Sequence, residues 1–230
     1  MSGELRAGHR EHLVQLEDRV LAMGDRVLDM MTQAMDALER RDQELGRAVI
    51  AMDDALDHEY AAVQDGILTT LALQAPVASE LRLVAALLHV NVHLERMGDV
   101  CVNIAKFVKL LADFPGEDEL MRQIHEMGEH GKRVARRALE AFSARDLEAA
   151  YELPAMDDPL DQLNKGLFRR LVALAASDET RLDWAMRMVL VARNLERFGD
   201  HAVDIGEQAV FAVTGRMIEL SSNSPTPRDD

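Results

Sequence analysis

Apolar positions recur along the chain at steps of three and four, in long runs broken by short polar or proline-bearing stretches. Leu87, Val90, Leu94, Met97, Cys101, Ile104 and Val108 form one run; Met188, Val191, Leu195, Phe198, Ala202, Ile205 and Ala209 form another. Leu45, Val49, Met52, Leu56, Val63 and Ile67 make a further stripe. Such spacing places apolar side chains along one side of an α-helix and is the seam of a helix bundle. The runs break at Glu39 to Gln43, at Gln74-Ala75-Pro76 and at Phe114-Pro115-Gly116. Proline cannot continue a helix but suits its first turn. The pattern predicts six helices near residues 8–40, 43–74, 77–113, 117–144, 146–176 and 178–215. Ser177-Asp178 offers an N-cap for the last. Pro154 and Pro159 fall inside the fifth segment, which predicts an irregular start or a helix beginning nearer Asp158. Residues 219–230 are expected to form a disordered tail.

The same unit occurs twice. Leu94-Glu95-Arg96-Met97-Gly98-Asp99 returns as Leu195-Glu196-Arg197-Phe198-Gly199-Asp200, at an offset of 101 residues. Val102-Asn103-Ile104 matches Val203-Asp204-Ile205 at the same offset, and Asp53-Asp54-Ala55-Leu56-Asp57 resembles Asp157-Asp158-Pro159-Leu160-Asp161 at 104. This period is too long for a solenoid and fits a duplicated domain with one short loop indel. The expected fold is all-α: two tandem pseudo-symmetric antiparallel three-helix bundles, over residues 1–115 and 116–218.

Composition narrows the function. The 230 residues are 48% hydrophobic and only 4% aromatic, and carry a formal net charge of −15. A phosphate backbone would be repelled, so nucleic acid is disfavoured and cations or a basic partner are favoured. One cysteine, Cys101, excludes an internal disulfide and a Cys-rich zinc site; it sits on a seam and reads as a small buried hydrophobe. Met1 to Arg10 has no apolar signal-peptide core, and Leu81 to Leu94 is interrupted by Arg82, His89, Asn91 and His93. The expected compartment is the cytoplasm, with any membrane role exerted through protein partners.

The chemistry concentrates in acidic pairs beside the seams. Glu95/Asp99 and Glu196/Asp200 are four residues apart, so each pair shares a helix face. Asp53/Asp57 and Asp157/Asp161 flank the second helix of each half in the same way. If those helices are neighbours, four carboxylates converge per half. Close like charges raise each other's pKa, so such a cluster needs neutralising. A multivalent cation is one answer, since oxygen clusters suit magnesium, calcium, manganese or iron. Ion pairs from Arg96 and Arg197 are the other. Gly98 and Gly199, inside helices where glycine costs about 1 kcal/mol, mark close helix packing or room for a ligand. Asn103, Asp204 and His201 are weaker candidate ligands. His89 and His93 read as structural or exposed. No nucleophile triad, nucleotide loop or CxxC pattern is present.

These segments resemble the PhoU family. Leu94 to Ala105 looks like its first signature, Leu195 to Glu207 like its second, and Ala75-Pro76-Val77-Ala78-Ser79-Glu80-Leu81-Arg82 like the opening of its third helix. The resemblance runs over about residues 8–215. It implies metal clusters at Glu95, Asp99, Glu196 and Asp200 with Asp residues from neighbouring helices; by position those are Asp53, Asp57, Asp157 and Asp161. The ions implied are divalent or trivalent: iron, zinc, manganese, magnesium or calcium. It implies a cytoplasmic, often homodimeric, non-catalytic protein. Such a protein restrains uptake by the Pst phosphate ABC transporter, through its ATPase subunit, and dampens the phosphate-sensing histidine kinase of the Pho regulon. The competing class is a ferritin-like or di-iron carboxylate bundle, which needs Glu-x-x-His pairs. No Glu in this chain has His three residues later. A helical scaffold without metal is the third possibility.

Overall fold

Two turns of identical design start the second helix of each half. Arg41 and Arg145 adopt the left-handed conformation, and the amides of Asp42 and Asp146 then donate to Ala37 O and Ala141 O, both at 2.9 Å. These bonds satisfy carbonyls left free at the preceding helix end. The Asp42 carboxylate accepts from the amides of Glu44 and Leu45, and the Asp146 carboxylate from that of Ala149. Each aspartate thus caps the next helix as its neighbour closes the last one.

In the computed structural model, residues 2–111 and 117–222 are described, with side chains from residue 11 onward. They form six long helices: α1 (Ser2–Arg40), α2 (Gln43–Gln74), α3 (Ser79–Leu111), α4 (Asp118–Ala144), α5 (Leu147–Ser177) and α6 (Leu182–Thr214). A single 3-10 turn, Glu179–Arg181, precedes α6. Asp178 caps that turn through the amide of Thr180, so the expected Ser177-Asp178 cap acts one turn before α6 itself. The Phe114-Pro115-Gly116 break lies outside the described residues.

Within each half the three helices pack on one another, and the halves meet through α3 against α6 and α1 against α4. Helices α2 and α5 touch only their own half and form the outer flanks. All seven residues of each predicted seam, on α3 and on α6, are buried to within 1% exposure. On α2, Val49, Leu56, Val63 and Ile67 are fully buried. Burying a Leu, Val or Met side chain contributes about 1.5–3 kcal/mol, so these stripes and the Met-rich face of α1 supply the driving force. Arg82 Nε donates to Ala212 O at 3.4 Å, while His93 meets His201. The start of α3 therefore lies by the end of α6, and the pair runs antiparallel. No described helix is long and apolar enough to cross a membrane.

Two expectations need correcting. Helix α5 runs unbroken through Pro154 and Pro159. Each proline removes one backbone bond at a cost of about 3 kcal/mol. Buried Ala149, Ala150, Leu153, Pro154 and Leu160 hold the segment against that cost. His130 adds a clasp there: its Nε2–H donates to Met156 O, and its Nδ1 accepts from Arg133. The start of the expected tail is also packed. Leu220 is buried beside Gly206, its amide donates to Glu207 Oε1 at 2.8 Å, and Ser222 Oγ donates to Asp158 at 2.8 Å. The remaining tail residues, 223–230, lie outside the described residues.

Candidate metal centres

The two glycines set how closely the outer helices approach the central ones. A β-carbon at Gly98 would collide with Leu56 Cδ2 and lie 3.7 Å from Asp53 Oδ1. A β-carbon at Gly199 would collide with both Leu160 Cδ2 and Asp157 Oδ1. The leucines and aspartates are equivalent in the repeat, so the same knob fills the same notch twice. In the second half a carboxylate enters the notch as well. The glycines thus serve packing at Gly98, and packing and the acidic cluster together at Gly199.

The first cluster faces α2 and α3. Asp53 and Glu95 are half-buried, Asp57 and Asp99 exposed. Burial first, then the charges of Asp57 and Asp99, raise the Asp53 carboxyl above its ordinary value. Burial and the charges of Asp99, Asp57 and Asp53 do the same at Glu95. Glu95 thus senses the charges of the other three carboxylates, but no three of the four bring oxygens within 4.8 Å of one another. Arg96 Nε offers partial compensation, 3.4 Å from Glu95 Oε2, but the arginine is mostly exposed. Asn103 is half-buried one turn further along α3.

The second cluster, between α5 and α6, is tighter. Asp157, Asp161 and Asp200 each offer an oxygen within 4.8 Å of the others. Asp157 and Glu196 are only 8% exposed. Burial, with Asp200, Asp161 and Glu196 adding to it, pushes the Asp157 carboxyl up to about 7. Glu196 and Asp200 are raised too, chiefly by burial. Asp157 Oδ1 and Glu196 Oε2 are buried with no hydrogen-bond partner in the protein. A buried acceptor without a partner costs about 1–3 kcal/mol, more when charged. Protein cations reach only the periphery: Lys165 pairs with Asp161 at 3.3 Å and Arg193 with the other Glu196 oxygen. The Glu196 partner is therefore Arg193, one turn back, and not Arg197. Residues three apart share a helix face; the first half has Val92 at the place of Arg193, and there Glu95 pairs with adjacent Arg96 instead.

The donor set fits a hard or borderline cation: oxygens throughout, several per cluster, with orphaned atoms in the second. Bound there, such an ion would neutralise the carboxylates and cross-link α2 to α3 or α5 to α6. The weaker candidates His201 and Asp204 turn elsewhere. Both point across the interface between the halves to His93, which is half-buried. Sequence reading missed His93 because its partners come from the other half. His89 is exposed, and Cys101 is fully buried, with burial pushing its thiol far up.

The chain resembles known proteins along most of its length. The family model described as PhoU domain matches residues 20–108 and again residues 124–209. The chain is 30% identical over 210 residues to a phosphate-specific transport system accessory protein PhoU homolog of Clostridium acetobutylicum, covering 91% of this chain and 95% of that protein. It is 32% identical over 215 residues to the Caulobacter vibrioides homolog of the same name, covering 94% and 93%. The crystal structure of PhoU from Pseudomonas aeruginosa superposes with a TM-score of 0.86 at 26% identity, covering 90% of this chain and 99% of that one. The phosphate transport system regulatory protein PhoU from Streptococcus pneumoniae gives 0.85 at 29% identity, covering 92% and 100%.

Proposed function

Because the chain belongs to the PhoU family, we propose that it is a non-catalytic accessory protein of phosphate transport that holds cations in its two acidic clusters. The family relatives are named as accessory proteins of the phosphate-specific transport system, which supports regulation of phosphate uptake as the role. In this reading the protein works in the cytoplasm, as a homodimer. It restrains the Pst transporter through its ATPase subunit and dampens the phosphate-sensing histidine kinase.

The observation that carries the cation part is the repeated geometry. In each half, two aspartates of an outer helix face a Glu-x-x-x-Asp pair of a central helix across a glycine notch. Asp53, Asp57, Glu95 and Asp99 would hold one group of ions; Asp157, Asp161, Glu196 and Asp200 would hold the other. An ion supplies positive charge and fixes two helices to each other. The residues themselves do the rest. Leu56 and Leu160 set the helix spacing, and the arginines screen the rim. The outer faces of α2 and α5 stay free of the opposite half and so are available to partners.

The test is genetic. Deleting the gene in its host should derepress phosphate-starvation genes in phosphate-rich medium, and the wild-type gene should restore repression. Unaltered repression in the deletion strain and in one lacking any paralogue would contradict the regulatory role.

A further inference from the structure

The face where the halves meet carries a cluster of different chemistry. His93 on α3 and His201 and Asp204 on α6 are each about half-buried at the α3–α6 crossing. Their donor atoms form a nearly equilateral triangle. His93 Nδ1 is 3.4 Å from His201 Nδ1 and 3.3 Å from Asp204 Oδ2; His201 Nδ1 is 3.4 Å from the same oxygen.

Those lengths separate two explanations. A charge-assisted hydrogen bond from imidazole to carboxylate lies near 2.7–2.9 Å, and ordinary N–H···O bonds end at about 3.2 Å. All three edges are longer than that, so hydrogen bonds within the triad are long and weak. A tetrahedral ion with bonds of about 2.0–2.1 Å to imidazole nitrogen has donor–donor edges of roughly 3.3–3.4 Å. The observed triangle matches one face of that tetrahedron. Two imidazoles and one carboxylate are also a donor set suited to Zn²⁺ and its borderline neighbours, unlike the all-oxygen clusters on the flanks.

We propose that His93, His201 and Asp204 form a mononuclear transition-metal site of the Zn²⁺ class that staples the first half to the second, its fourth position left to water. It is single, because the repeat does not reproduce it. The positions equivalent to His93, His201 and Asp204 are Asn194, Val100 and Asn103, a set with no imidazole and no carboxylate. The site is independent of the acidic clusters and does not rest on their binding cations.

Co²⁺ substitution tests it on the full chain. Protein stripped with a chelator is titrated with Co²⁺ in excess Mg²⁺, which saturates oxygen sites, and the visible absorption is recorded. The wild type should show the intense bands of tetrahedral cobalt, saturating at one ion per chain and displaced by Zn²⁺. His93→Asn, which installs the residue of the equivalent position, should abolish the bands and weaken Zn²⁺ binding at least about tenfold. Asp204→Asn should do the same, and provides a second variant if the first misfolds. Glu95→Ala/Glu196→Ala should leave the bands intact. Tetrahedral bands that persist in folded His93→Asn or Asp204→Asn, or their absence from the wild type, would overturn the assignment.

Discussion

The Asp157 carboxylate lies against the backbone of α6 at Gly199, in the space a β-carbon would occupy. The buried end of the second acidic cluster thus depends on a missing side chain. Gly199→Ala must displace Asp157 and Leu160 together. Overpacking of this kind costs about 1–3 kcal/mol. We expect that loss in urea denaturation, with weaker cation binding at the second cluster. Gly98→Ala displaces only Leu56, so it should cost similar stability with a smaller effect on cations. Equal effects on cation binding would remove the distinction.

Glu207 makes a pH prediction. Burial, with Asp204 and Glu219 adding to it, holds its carboxyl above the ordinary value, against the lowering effect of the Leu220 amide. A carboxyl that holds its proton more tightly when folded loses stability as pH rises from the unfolded value through the folded one. Glu207→Gln keeps an acceptor for the Leu220 amide and cannot ionise. The variant should therefore match the wild type near pH 4 and become relatively more stable as pH rises towards neutrality. Denaturation midpoints across that range check this; a constant difference would refute it.

Leu220 is buried beside Gly206 of α6 although it lies beyond the last helix. Leu220→Ala should destabilise the protein by about 1.5–3 kcal/mol, the transfer energy of a buried leucine. A change under about 0.5 kcal/mol, typical of surface sites, would show that the segment is not held in place.

Cys101 is fully buried on the α3 seam, and burial holds its thiol protonated. Since the thiolate is the reactive form, native protein should not react with a disulfide reagent at neutral pH, and unfolded protein should react with one equivalent. Rapid labelling of the folded chain would contradict the packing of α3.

Much of this was legible in the sequence because periodicity within one helix fixes what that helix buries. The seams of α3 and α6 and the acidic pairs beside them are where 3–4 spacing puts them. Contacts between separate helices were not written so plainly. Nothing local places His93 beside His201 and Asp204, since their meeting depends on how the halves dock. The prolines of α5 misled for a related reason: their cost is local, whereas the burial that overrides it is tertiary. Arg193 took the place expected of Arg197 because it lies three residues before Glu196 on the same helix face, where the first half has Val92 and leaves Glu95 to adjacent Arg96. Leu220 lacked any periodic context to mark it.

The paired acidic clusters are the centre of this account, and metal content tests them most directly. Full-length protein purified without chelator is compared with Glu95→Ala/Glu196→Ala by elemental analysis, with helicity checked by circular dichroism. We expect multivalent cations in the wild type and their loss from the clusters of the folded double variant, beyond any ion held at His93. The same metal content in both proteins, or a wild type that takes up no cation from an excess, would contradict it.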